Sequence, residues 1–117
     1  MSDIKDLTDK ILKFRNDRDW KQFHNPKDLA ISLSLEASEV LEHFQWKNKE
    51  EMEEHVKNHR KEIGEELADT LILILLMAHD MKIDIKNATL KKLEKNSKKY
   101  PVEKAKGSHA KYTEYTK

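Results

Sequence analysis

Residues Gly64 to Asp80 read GEELADTLILILLMAHD, and the fold turns on whether this stretch is strand or helix. Its centre, Leu71 to Ala78, is eight consecutive apolar residues. That length suits a buried strand as well as a helical segment. The flanks decide in favour of helix. GEELADT runs into the apolar stretch and MAHDMK runs out of it with no proline between. The reading is one long helix from about Lys49 to Met81. Its first half is polar, with Glu50, Glu51, Glu53 and Glu54, and its second half is apolar all round. A helix apolar on every side is buried in a core or an interface. Eight residues fall far short of the roughly 20 that cross a bilayer.

Outward from there the same period recurs. Ile4, Leu7, Ile11 and Phe14 are spaced by three and four, which predicts a helix over about Ile4 to Asp17 with Asp3 as its N-cap. Asp19 to Lys27 breaks the period. Pro26 biases Asn25 away from helical angles, so an ordered loop carrying Trp20 and Phe23 is expected. A second helix runs from about Asp28 to Trp46, with Leu29, Leu33, Val40 and Phe44 among its apolar residues. A fourth runs from about Asp84, as N-cap, to Lys99, with Ile85, Leu90 and Leu93 facing in; Pro101 stops it. The tail from Val102 reads as extended or poorly ordered. The expectation is an all-α fold, a four-helix bundle with an extended C-terminal tail, forming one domain over residues 1–117.

Composition narrows the class. The 117 residues include only two Gly and two Pro, too few for the many turns of a sandwich or barrel. Twenty-three Lys and Arg against 22 Asp and Glu leave a net charge of +1. No global field therefore argues for nucleic acid or an anionic membrane. The absence of Cys removes disulfides, thiolate metal sites and a cysteine nucleophile. The start, MSDIKDLTDK, has no apolar signal region, and a cytoplasmic protein is expected. Charged residues, at 38%, slightly outnumber apolar ones at 37%. So low an apolar fraction suggests that a partner subunit completes burial.

Four carboxylates stand where the pattern disfavours them. Glu36 and Glu39 lie three apart on the second helix, and Glu66 and Asp69 repeat that spacing on the third, with Glu62 one turn earlier. Neither Glu66 nor Asp69 has a Lys or Arg one turn away. Like charges at this spacing cost an isolated helix about 0.2–0.5 kcal/mol per pair, and burying them unpaired costs far more. Two such pairs beside apolar surface on neighbouring helices call for a cation between them. An all-oxygen set selects a hard ion, Mg²⁺ with Mn²⁺ as substitute, and Mg²⁺ is usually shared with substrate phosphates. A carboxylate-bridged di-iron bundle needs Glu-x-x-His motifs, and no His follows a Glu at that spacing. His55 and His59, four apart in a charged stretch, read as solvated surface.

The chain resembles the MazG-like all-α nucleoside triphosphate pyrophosphohydrolases, and within them the short dCTP pyrophosphatase branch. The carriers are Glu36-Ala-Ser-Glu39 and Glu66-Leu-Ala-Asp69, matching E-x-x-E and E-x-x-D. Flanking them are Arg18-Asp-Trp-Lys-Gln-Phe-His24 with Pro26, Phe44-Gln-Trp46, Asn96-Ser-Lys-Lys-Tyr-Pro101 and Lys111-Tyr-Thr-Glu114. The likeness runs from about Ile4 to Glu114. It implies Mg²⁺-dependent hydrolysis of a (d)NTP to (d)NMP and pyrophosphate, with Glu36, Glu39, Glu66 and Asp69 as metal ligands and catalytic residues. It places Trp20 and Trp46 in the base pocket, Gln22 and His24 in the loop lining it, and Lys92 and Asn96 against the nucleotide. It also implies a homo-oligomer, a tetramer built as a dimer of dimers, and a role in clearing non-canonical nucleotides from the pool.

Departures from the pattern bear on base choice. Ile11 stands where dCTP-preferring relatives often carry His, and Leu73 where some carry Tyr. Ser34 and Ala37-Ser38 replace glycines near the first motif. The lysines of the fourth helix and tail, from Lys91 to Lys111, read as a solvated face rather than a nucleic-acid footprint. The rival reading is a helical nucleotide-binding or protein-interaction module without turnover.

Overall fold

In the computed structural model, which describes residues 3–115, six α-helices follow one another. They are α1 (Asp3–Asp17), α2 (Pro26–Glu42), α3 (Lys49–Asn58), α4 (Arg60–Asp80), α5 (Ile85–Lys99) and α6 (Val102–Ala105). Short 3-10 turns occupy Lys21–Phe23 and Tyr112–Glu114. No strand occurs among the described residues, so the all-α expectation holds and LILILL is helical. No helix among them is long and apolar enough to cross a membrane.

The caps of α2, α3 and α5 are side-chain oxygens. Asn25 accepts from the Asp28 backbone N–H at 2.9 Å, with Pro26 in the first turn of α2. Asn48 and Glu51 form a reciprocal capping box on α3. Asp84 caps α5, as the sequence indicates. Asp3 lies inside α1 rather than capping it.

Two C-termini close by the left-handed motif in which glycine is usual. After α1, Asp19 (φ 53°) lets its own N–H reach the Asn16 carbonyl and the Trp20 N–H reach that of Arg15. After α4, Lys82 (φ 56°) does the same with His79, while Ile83 N–H bonds to Ala78. The sequence has few glycines because Asp and Lys take these positions, at about 1 kcal/mol each.

Two boundaries differ from the sequence reading. The long third helix is two helices, broken at His59, whose backbone leaves helical angles (φ −126°, ψ 28°) while its N–H still bonds to His55. No Gly or Pro marks the break. The second helix ends at Glu42, and His43 to Trp46 form turns. The tail is also more ordered than expected. It carries α6 and the second 3-10 turn, because the Tyr100 ring packs edge-on against Tyr112 and Tyr115 at 5.8 and 5.9 Å.

The chain divides into two compact units, one ending at Ile83 and the other starting at Asp84. In the first, α4 is the spine. α2 packs along it most extensively, and α1 and α3 also pack against it. The buried apolar residues are few: Leu29, Leu75, Leu76 and Ala78. Arg15, 2% exposed, is buried with them and donates to both oxygens of Asp80 at 2.8 Å. This pair ties α1 to the end of α4. In the second unit Leu90 and Leu93 are exposed rather than inward-facing.

Candidate active site

The packing of α2 along α4 brings the two acidic pairs together. Glu36 feels the negative charge of Glu39, Asp69 and Glu66. Burial, and then these neighbours, push its carboxyl above the ordinary carboxylate range. Oε2 of Glu36 and Oε2 of Glu66 are both buried without a hydrogen bond. Buried acceptors are normally satisfied, so the orphaned Glu36 oxygen among four acids marks a place for a positive ligand. As they stand, among the described residues, no three acid or histidine side chains are drawn into a closed ligating group. The quartet is open, with Glu39 and Asp69 exposed. An open, all-oxygen set fits a hard divalent cation that keeps positions for water and substrate.

Asp69 also borders a recess of about 470 Å³ between α1 and α4, lined chiefly by apolar side chains that include Ile11, Phe14, Ile72 and Leu75. Acids at the rim and apolar walls within suit a ligand that is anionic at one end and flat and apolar at the other. Trp20 stands beside it, edge-on to Phe14 at 5.8 Å. Ile11, singled out in the sequence, is a wall of this recess; Leu73 is not.

The other expected residues are placed less uniformly. His24 Nδ1 lies 3.3 Å from the Arg15 guanidinium, so the buried pair also anchors the Trp20 loop. Gln22 is spent locally, donating to the Asp19 carbonyl and carboxylate at 3.0 Å. Trp46 is 91% exposed and sits at φ 70°. A left-handed backbone is rare for a bulky residue and is associated with functional sites. Lys92 and Asn96 belong to the second unit, where they line a recess of about 320 Å³ with Ile85, Ala88, Thr89 and Leu93.

Sequence reasoning missed two residues and misread a third. Arg15 looks like any helix-surface arginine until its burial is seen. His43 lies one turn beyond Glu39 and presents Nε2 to Glu66 Oε2 at 2.6 Å, at ion-pair distance but without hydrogen-bond alignment. The spacing 36, 39, 43 was the available signal, since it puts all three on one helix face. His55, read as solvated, is half-buried, with Nε2 2.7 Å from His43 Nδ1 and its ring stacked on His59.

The fold and site define an all-α chain whose paired acids on α2 and α4 suit metal-assisted phosphate chemistry. Residues 31–115 match the MazG-like family, and the chain belongs to it. It is 36% identical over 113 residues to dCTP pyrophosphatase 1 of Bos taurus, covering 95% of this chain and 67% of that protein. It is 35% identical to dCTP pyrophosphatase 1 of Homo sapiens over the same number of residues, 95% of this chain and 66% of that one. The chain thus spans about two thirds of the length of these relatives. The crystal structure of a pyrophosphatase from Archaeoglobus fulgidus superposes with a TM-score of 0.81 at 38% identity, over 86% of this chain and 94% of that one. Nucleotide pyrophosphatases of this kind are generally metal-dependent.

Proposed function

We propose that this protein hydrolyses a nucleoside triphosphate to the monophosphate and pyrophosphate, with dCTP or a modified dNTP as preferred substrate and Mg²⁺ as cofactor. The observation that carries the reading is the meeting of four carboxylates at half-buried Glu36, whose Oε2 is buried without a hydrogen bond, beside an apolar recess. The likeness to dCTP pyrophosphatase 1 of two mammals supports the substrate class.

Glu36, Glu39, Glu66 and Asp69 would hold the metal. When bound, it neutralises triphosphate charge and makes water more acidic. The residues of the chain do the rest. Ile11, Phe14 and Ile72 exclude water from the base, and Trp20 and Trp46 supply aromatic faces. Glu39, the exposed member of the acid pair on α2, takes the proton of the attacking water at its carboxylate. The water oxygen bonds to the α-phosphorus, the bond to the bridging oxygen breaks, and pyrophosphate leaves. Lys92 and Asn96 are substrate contacts on the strength of the resemblance alone.

The protein acts as one domain in the cytoplasm, as a homo-oligomer organised as a dimer of dimers. Exposed apolar side chains on α2 and α4, among them Ile31, Leu35, Leu67 and Leu71, support that assembly. The test is incubation of the purified protein with Mg²⁺ and a panel of NTPs, dNTPs and 5-modified dCTP, quantifying monophosphate and pyrophosphate. Equimolar release of both from a subset supports the reading. Nucleotide binding without release across the panel rejects it in favour of a non-catalytic module.

A further inference from the structure

Three histidines of the first unit, His43, His55 and His59, form a connected chain that ends on one of the four acids. His43 follows α2 directly and keeps helical angles (φ −62°, ψ −26°), so it continues the face that carries Glu36 and Glu39. Its Nε2 lies 2.6 Å from Glu66 Oε2. At this distance a His43 protonated at Nε2 donates to the carboxylate once the two groups align. With Nε2 protonated, neutral His43 has Nδ1 as an acceptor. That atom is 2.7 Å from His55 Nε2, which is the donor in that tautomer. His55 in turn is braced by His59, its rings stacked at 4.1 Å and 18° apart. The break at His59, between α3 and α4, thus sits where the stack meets the chain turn.

This arrangement answers a mechanical difficulty. Four acids that repel one another turn apart unless something holds them. Among the described residues Glu66 has no Lys or Arg partner, and its Oε2 is buried without an aligned hydrogen bond. His43 is the one side chain recorded in ion-pair contact with it among the described residues. Metal-binding groups are commonly oriented by a second polar partner, whose removal costs affinity while leaving the ligands in place.

We propose that His43, with its tautomer set by His55, is a positioning residue of the pyrophosphohydrolase reaction. It fixes the orientation of the Glu66 carboxylate through its contact with Oε2. The inference rests on the reading of Glu66 as a metal ligand, and the experiment separates the two.

Mn²⁺ binding to the full chain is measured by isothermal titration calorimetry for the parent, His43→Ala, His43→Gln, His55→Ala and Glu66→Gln proteins. Steady-state kinetics with dCTP are run on the same preparations. A loss of 10- to 100-fold in Mn²⁺ affinity is expected for His43→Ala, with kcat reduced and the dCTP KM within threefold. Gln places an amide N–H near the position of Nε2, so His43→Gln recovers most of both. His55→Ala lies further from the acids and should fold even if His43→Ala does not. It loses several-fold in affinity in the parent background and nothing more when combined with His43→Gln, which has no tautomer to set. Unchanged Mn²⁺ affinity in His43→Ala and His55→Ala, with Glu66→Gln defective, overturns the role of His43 and leaves the ligand assignment standing. Parent-like metal binding and turnover in Glu66→Gln overturns both. A His43→Gln protein as impaired as His43→Ala also overturns the proposal.

Discussion

Removing the carboxylate of Asp80 should destabilise this protein more than any surface substitution. Arg15 is 2% exposed, and its guanidinium meets both Asp80 oxygens at 2.8 Å, so two charge-assisted hydrogen bonds depend on one side chain. Such bonds contribute about 1.5–3 kcal/mol each. Deleting one partner of a buried pair costs about 3–5 kcal/mol, since the other charge is left without compensation. The strain is greater here because Arg15 Nε already lacks a partner. Asp80→Asn keeps one acceptor, which places it near the lower end, about 3 kcal/mol. For a chain of 117 residues, unfolding entropy of about 2.1 cal/mol/K per residue converts this to a Tm drop of roughly 12 °C. Urea unfolding followed by tryptophan fluorescence is the assay, because Trp20 and Trp46 both lie in the first unit. Protein concentration is held fixed, so that assembly does not contribute. The double variant Arg15→Met with Asp80→Leu should return to within about 1–2 kcal/mol of the parent, since a hydrophobic replacement of both charges is often neutral. A cost for Asp80→Asn below about 1 kcal/mol, the value of an exposed pair, would refute the reasoning.

The same pair has a pH signature. Arg15 holds Asp80 below the usual carboxylate range. Its contribution is therefore complete above the unfolded value of 3.8 and is lost as pH falls through the folded one. Urea midpoints between pH 6 and 3 should fall less steeply in Asp80→Asn than in the parent. Glu36→Gln should lower turnover by at least about 100-fold while raising the Tm of metal-free protein, because burial and three like charges oppose the ionised acid. A lower Tm in differential scanning fluorimetry contradicts that balance. Trp46→Ala should raise the substrate KM by roughly tenfold or more, the scale of base stacking on an aromatic, with urea stability within about 0.5 kcal/mol, as befits an exposed residue. Leu71→Asp, at an exposed position of α4, should shift the oligomer toward smaller species by light scattering; a parent protein that is already monomeric removes the assembly proposal.

Much of the protein is legible in its sequence because the controlling effects are local. Three- and four-residue spacing of apolar side chains makes α1 and α2 readable, and the Asp84 oxygen marks the start of α5. Glu36, Glu39, Glu66 and Asp69 are conspicuous because acids without nearby cations on apolar helices are costly, and that cost is visible in one dimension. Their convergence needed only the packing of α2 along α4. Leu90 and Leu93 show the limit of the method. Helical spacing indicates an apolar stripe, and only packing decides whether it is covered within the same unit.

What tertiary structure alone decided involves contacts between residues far apart in the chain. Arg15 and Asp80 are 65 residues apart, and nothing around either one signals that a guanidinium will be buried. His43 meets Glu66 across two helices, and His55 reaches His43 because the chain turns at His59, where no helix breaker stands. The order of the tail depends on Tyr100 finding Tyr112 and Tyr115. Local sequence carries the period and the caps because backbone hydrogen bonding in a helix spans four residues. Burial, ion pairing and ring packing depend on which surfaces meet, and that is settled only when the helices have docked.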